Sequence, residues 1–354
     1  MGNLASTYQH IADILSFETS NLKLEKELMH PSFDWDAIVV EGSRHLVLPA
    51  LYCRLQAKNL LHVLPKDLKT YLNEITSLNR TRNEAILSQV NSIAQLLNKH
   101  KIVHVFLKGA ALLTLGCFKD NAERMIGDID ILVPDEQLDD AYQILINNHY
   151  ESTEQPLGHK YFGHRHLPRL IPTHHIAAVE LHNKLFLAYN FAPLSCSSIF
   201  SKKRQQAKIN IPSIKHLLMH NILSFQINDN GALYKSISFR AAFDTISLLR
   251  INATDLNWNL NKYFTNYFKI TGVFFKALKT NRLKTFDYSK SFYLFKLKYS
   301  QFYKIWNKCI TLISLIPILF RRMLLFLSNK SYRKAIINDK KRIYVHFKSI
   351  ITKN

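Results

Sequence analysis

A chain of 354 residues with 47% apolar content has the material for a sizeable core, in one large domain or two to three small ones. Its cysteines, Cys53, Cys117, Cys196 and Cys309, lie far apart with no C-x-x-C, which excludes a disulfide framework and a zinc knuckle and fits a reducing cytoplasm. The net charge of +21 is concentrated at one end: 17 Lys and Arg fall in residues 281–354 against Asp287 and Asp339, a local net charge of +15. Such a field favours polyanions, whether nucleic acid, an anionic membrane surface or phosphorylated substrates. The many Asn, Ile and Lys residues offer genome base composition as a competing origin for the excess. The opening MGNLASTYQHIADIL has no basic segment leading into an apolar run, so no signal peptide is expected.

Residues 1–99 read as a helical N-terminal domain. Asp34 is placed to cap a helix that begins at Trp35. Asp34-Trp35-Asp36 is also a D-x-D, but no strand or glycine turn flanks it, so it reads as helix-start chemistry. Pro65 opens a second helix with Leu68, Tyr71, Leu72 and Ile75 at i, i+3, i+4 and i+7. A further long helix is expected over residues 78–99, with Ile86, Val90, Ile93 and Leu97 on one face.

The organising stretch is residues 105–133, VFLKGAALLTLGCFKDNAERMIGDIDILV. It reads as a strand ending near Leu107, a tight turn through Lys108-Gly109, a short helix that Gly116 ends, a loop, and a second strand. Side chains at i and i+2 of a strand share a face. Asp128 and Asp130 therefore sit side by side, with Ile129, Ile131 and Val133 turned into a core. Two carboxylates about 4 Å apart repel by about 4 kcal/mol at an effective dielectric of about 20. A cation between them relieves that repulsion, and hard oxygen ligands suit Mg2+ or Mn2+, which hold phosphates. A glycine at the strand-to-helix turn lets backbone amides approach an anion at the helix N-terminus. After the D-x-D, Pro134-Asp135 starts a helix carrying Leu138, Ala141, Tyr142, Leu145 and Ile146. A loop or hairpin follows, and residues 176–182 read as a strand with Ala178, Glu180 and His182 on one face, so that Glu180 can approach the aspartates. His159, His164, His166, His174 and His175 crowd the connection, but their spacing matches no common structural zinc pattern.

The segments FLKGAALL, RMIGDIDILV and ELH together resemble the uncharacterised nucleotidyltransferase family of the polymerase-β superfamily. The resemblance spans roughly residues 35–180. It implies that the D-x-D binds metal and that a third acidic residue on a later strand, Glu180, completes the set. This sequence departs from the wider superfamily in having Glu rather than Asp at that third position. It also has Lys108-Gly109 where a G-S or G-G turn is usual.

Residues 191–300 read as helical, with amphipathic segments over 214–225 and 239–249. His216, His220, Arg240 and Asp244 are candidate acceptor or base contacts there, and Arg240 and Asp244 stand at i, i+4, suited to an ordinary ion pair. In the tail, CITLISLIPILF (309–320) is too short an unbroken run to span a bilayer, which takes about 20 residues. It reads as a buried helix kinked at Pro317. With its flanking Lys and Arg, the competing reading is a segment lying in the interface of an anionic membrane.

The expected fold is α+β. A polymerase-β-like nucleotidyltransferase core, a small mixed sheet with flanking helices over 100–190, lies between the helical N-terminal domain (1–99) and a helical C-terminal domain (191–300), with a basic helical tail at 301–354. The resemblance implies a metal-dependent enzyme moving NMP from an NTP donor to a hydroxyl or phosphate acceptor: a sugar phosphate, an RNA end or a protein hydroxyl. It also implies a setting in surface-polysaccharide metabolism. In that reading Asp128 and Asp130 hold Mg2+ or Mn2+, and Glu180 completes a second metal position and takes the acceptor proton. Gly109 admits the triphosphate, Lys108 and Arg124 balance its charge, and His182 touches substrate or phosphate. The alternatives are a nucleotide- or RNA-binding protein without chemistry on the same fold, and an accessory protein held on the inner face of the membrane by its basic tail.

Overall fold

The computed structural model describes residues 4–153, 161–162, 164–186, 194–252, 261–279, 288–340, 343–345 and 348. The N-terminal region is helical: α1 (Leu4–Leu15), α2 (Asn21–Leu28), α3 (Trp35–Arg44), α4 (Leu48–Ala57) and α5 (Lys66–Lys99). Asp34 caps α3, its carboxylate accepting from the Ala37 amide at 2.9 Å. The two helices expected on either side of residues 76–78 are one 34-residue helix. Thr76-Ser77-Leu78 contains neither Gly nor Pro, so nothing interrupts the backbone ladder there.

The α5 face turned inward mixes Ile86, Val90, Ile93 and Leu97 with Asn79, Asn83 and Gln89, all buried. The amide nitrogens of all three donate to backbone carbonyls. Asn79 donates to the Ala122 carbonyl (2.8 Å), and Asn83 donates to those of Asn121 (2.6 Å) and Arg124 (2.7 Å). Gln89 donates to the Ala177 carbonyl at 2.8 Å and accepts from the Ala177 amide at 3.0 Å. One helix thus holds the loop before one strand and the residue before another.

Those strands belong to a five-stranded mixed sheet of order β1-β2-β5-β4-β3. Its members are β1 (Val105–Phe106), β2 (Asp128–Leu132), β3 (Tyr150–Ser152), β4 (Leu170–Pro172) and β5 (Ala178–His182). β2 runs parallel to β5 and antiparallel to β1, and β4 lies antiparallel to both β3 and β5. Two helices flank the sheet: α6 (Lys108–Leu115), ended by Gly116 at φ +70°, and α7 (Leu138–Ile146). Ile129 and Ile131 are fully buried beneath the strand that carries the D-x-D.

The chain continues through α8 (Cys196–Ser201), the hairpin β6 (Arg204–Gln206) and β7 (Ile209–Ile211), α9 (Ile214–Leu223), a π turn over Ser224–Asn228, α10 (Gly231–Tyr234), α11 (Phe239–Ile251) and α12 (Lys262–Thr271). The hairpin departs from the helical expectation. Its turn puts Ala207 and Lys208 at φ +48° and +67°, a two-residue turn built without the Asn-Gly that usually announces one. Buried apolar side chains from Tyr8 to Leu297 form one contiguous cluster.

The tail consists of α13 (Tyr288–Lys298), α14 (Ser300–Ser328) and α15 (Lys330–Asn338). Here the expectation of a buried helix is corrected. α14 is a single 29-residue helix with Pro317 inside it and no buried residue. It continues through Arg321-Arg322, which makes it long and apolar enough to cross a membrane by length and composition.

The double bond from Gln89 to Ala177 gives the first test. Gln89→Leu fills the space but orphans two buried backbone groups, so unfolding stability should fall by about 1–3 kcal/mol. Denaturant melts of the two proteins measure this.

Candidate active site

The parallel register of β2 and β5 sets Asp130 directly beside Glu180 and Leu132 beside His182. Because side chains two apart share a face, His182 also reaches back toward Asp130. Its Nε2 lies 2.8 Å from Asp130 Oδ1 and 3.5 Å from Glu180 Oε2. The same Asp130 oxygen accepts from Lys108 Nζ at 2.5 Å. Asp130 and His182 are both buried, and Glu180 is nearly so. Asp128 stands nearer the surface, where Arg169 Nη2 lies 3.4 Å from its Oδ2 and Arg169 Nε lies 4.0 Å from Glu180 Oε1.

Burial alone would push the Asp130 carboxyl up. The Lys108 charge and the His182 bond outweigh it and hold the group far below the usual carboxylate range. The bond from His182, against the cost of burial, also draws Glu180 down. Burial lowers His182, but its bonds to the two carboxylates overcome that and raise it. Asp128 moves the other way, raised by burial and then by the negative charges of Asp130 and Glu180. The centre therefore holds two carboxylates drawn toward their ionised forms beside the Lys108 amine and the His182 ring, with a third, Asp128, shifted toward its protonated form.

One ligand atom each from Asp130, Glu180 and His182 lies within 4.8 Å of the others, a buried acidic and histidine group that could hold a metal ion. Two carboxylates and an imidazole suit Mn2+ as well as Mg2+, the nitrogen donor being less typical for the latter. Asp128 is outside this group and within electrostatic reach of Asp130 and Glu180.

The turn before α6 differs in detail from the sequence expectation. Its left-handed residue is Lys108, at φ +47°, a conformation that costs a non-glycine residue about 1 kcal/mol. Gly109 serves close packing: a Cβ there would lie 2.8 Å from Ile126 Cγ1. Both residues, with Asp128 and Asp130, line a cavity of about 430 Å³ whose opposite wall is formed by α9, the π turn and α11.

The family comparison bears on this sheet and on both walls of the cavity. A model described as uncharacterised nucleotidyltransferase matches residues 31–263. The chain belongs to the uncharacterised nucleotidyltransferase family. No curated protein matches it.

In this family member, Arg124 lines the cavity but is committed elsewhere. Its Nε donates to both oxygens of buried Asp244, at 2.8 and 3.0 Å, and its Nη1 donates to the Met125 carbonyl. Asp244 is thereby taken from Arg240, its i, i+4 neighbour. Among the described residues, Arg240 makes no hydrogen bond or ion pair, and it lines the cavity facing the charges of Asp128 and Asp229. His220 lines the same wall; burial, then the Lys108 charge, drives it down to about 3, so it is neutral at ordinary pH. His216 is buried beside the site without lining it.

Sequence reasoning did not single out Asp229 or Arg169. Neither falls in a motif, and only the folding of the π turn and β4 onto the sheet brings them close. Of the histidine run, His166 approaches Glu180 at 3.9 Å, His174 packs on His149, and His175 stacks on Tyr150. His159 lies outside the described residues.

Removing the partner of a buried charge destabilises more than the pair itself stabilises. Asp244→Ala should therefore lower stability by about 3–5 kcal/mol, against a far smaller loss for the exposed Asp139→Ala. Thermal melts of both variants check the difference.

Proposed function

We propose that this family member is a metal-dependent nucleotidyltransferase with a polymerase-β-like core, moving NMP from an NTP to a hydroxyl or phosphate acceptor. The observation that carries the reading is the register that sets Glu180 beside Asp130, at a cavity lined by Asp130 and Asp128. A cavity of about 430 Å³ falls in the range of about 300–1,000 Å³ typical of small-molecule sites. The family assignment over residues 31–263 supports a nucleotide substrate.

Asp128, Asp130 and Glu180, with His182, would hold Mg2+ or Mn2+. A divalent cation bound there supplies charge neutralisation at the phosphoryl oxygens and favours ionisation of the acceptor hydroxyl. The chain's own groups do the rest. The turn at Lys108-Gly109 presents the α6 N-terminus to the phosphates. Lys108 and Arg240 offset their charge, a role in which Arg240 replaces Arg124. The acceptor oxygen attacks the α-phosphorus, the bond to the bridging oxygen breaks, pyrophosphate leaves, and Glu180 accepts the acceptor proton. Substrate lies between the sheet and α9–α11, so the segment beyond the core contributes half of the site. The acceptor is a sugar phosphate, an RNA end or a protein hydroxyl.

A second reading rests on two contacts. Lys108 Nζ and His182 already compensate Asp130, so the same fold could bind nucleotide without chemistry. Turnover separates the two. Asp130→Asn should cut transfer of a labelled α-phosphate by more than about 100-fold, and Glu180→Gln by about 10²–10⁴-fold, with far-UV circular dichroism unchanged. Mg2+-dependent NTP binding with no transfer to any acceptor class would favour the binding protein. Full turnover in Asp130→Asn would remove the metal assignment.

A further inference from the structure

The family match ends at residue 263, and α14 lies wholly beyond it. This helix is oriented against the usual rule. Its polar stripe turns toward the protein: Thr311 Oγ1 lies 2.8 Å from Tyr234 Oη, Asn307 and Ser314 are partly buried, and Arg322 rests over the Phe162 ring at 5.0 Å. The opposite face is apolar along its length and open. Leu312, Ile313, Ile316, Phe320, Met323 and Leu327 are each at least half exposed. Soluble proteins rarely leave such a continuous apolar stripe uncovered, and those that do use it to meet a partner or a bilayer.

We propose that α14 lies in the plane of an anionic membrane surface, its outer face buried among the acyl chains and its polar stripe and the enzyme body on the aqueous side. Charge complementarity selects this occupant. Residues 281–354 carry 17 Lys and Arg against two Asp, and the flanks of α14 hold Lys298, Lys330, Arg333 and Lys334. Anionic headgroups attract such a segment, with each basic residue near the surface adding to the binding. A second copy pairing along the same face would instead bring two strongly positive tails together. Crossing the bilayer is also disfavoured, although the helix is long enough. An upright helix would carry Arg321 and Arg322 into hydrocarbon, away from the Phe162 ring they cover. The inference does not rest on nucleotidyl transfer.

The test uses the full chain with vesicles of phosphatidylcholine alone and of phosphatidylcholine mixed with phosphatidylglycerol. Flotation should occur with the anionic vesicles only, weaken as salt rises, and be reversed by alkaline carbonate. Ile316→Glu/Phe320→Glu, at exposed positions, should reduce vesicle affinity by at least about tenfold with unchanged circular dichroism. Absence of flotation, or flotation that the variant leaves unchanged, overturns the proposal. So does carbonate-resistant insertion, which would mean a spanning helix. A concentration-dependent dimer that the variant dissociates, without vesicle binding, also overturns it by naming a second copy as the occupant.

Discussion

A buried carboxylate is tolerated only where something cancels its charge, since an uncompensated one costs several kcal/mol in effective desolvation. Asp130 is that group here, and two nitrogen groups meet at a single one of its oxygens: Lys108 Nζ from the turn after β1, and His182 Nε2 from β5. The turn, the D-x-D strand and the parallel strand are thereby tied at one atom. The same requirement explains why Lys108 tolerates a left-handed backbone, as the Asp130 bond offsets the strain of the turn.

That centre is braced from behind by α5. Buried asparagine and glutamine side chains are expensive unless satisfied, and these three are spent on backbone groups of the loop before β2 and of the residue before β5. Arg80 adds a two-pronged bond to Asp120 in that loop, Nε to Oδ1 at 3.0 Å and Nη2 to Oδ2 at 2.8 Å. A helix that reads as part of a separate N-terminal region in fact sets the relative position of the two acidic strands. The Arg124–Asp244 pair does the equivalent on the other side, joining the loop before β2 to α11. Because Asp244 is used there, Arg240 is left in the cavity as a cation available to a polyanion.

The tail obeys a different balance. A helix on the surface of a globular protein turns its polar face outward and its apolar face inward. α14 does the reverse because Tyr234 and Phe162 take up its Thr311, Arg321 and Arg322. Its apolar face is thereby left uncovered by the rest of the described protein.

Much of this was legible in the sequence for a simple reason: periodicity and turn chemistry are local. The strand bearing Asp128 and Asp130, the Gly116 stop, the Asp34 cap and the shared face of Glu180 and His182 follow from spacings of two to four residues, and the family resemblance rests on the same short segments. The fused α5, the β6–β7 hairpin and the exposed α14 were not legible. The first needed the absence of a breaker to count as a signal, the second used a turn without its usual residues, and the third depends on which face the body covers. Sequence alone determined which acidic residues could gather. Only the tertiary structure decided that Asp130, and not Asp128, is buried with His182 beside Glu180, that Arg124 serves Asp244, and that Arg240 has no ion-pair partner among the described residues. Those choices are made by strand register, burial and competition among charges far apart in the chain, none of which a local pattern contains.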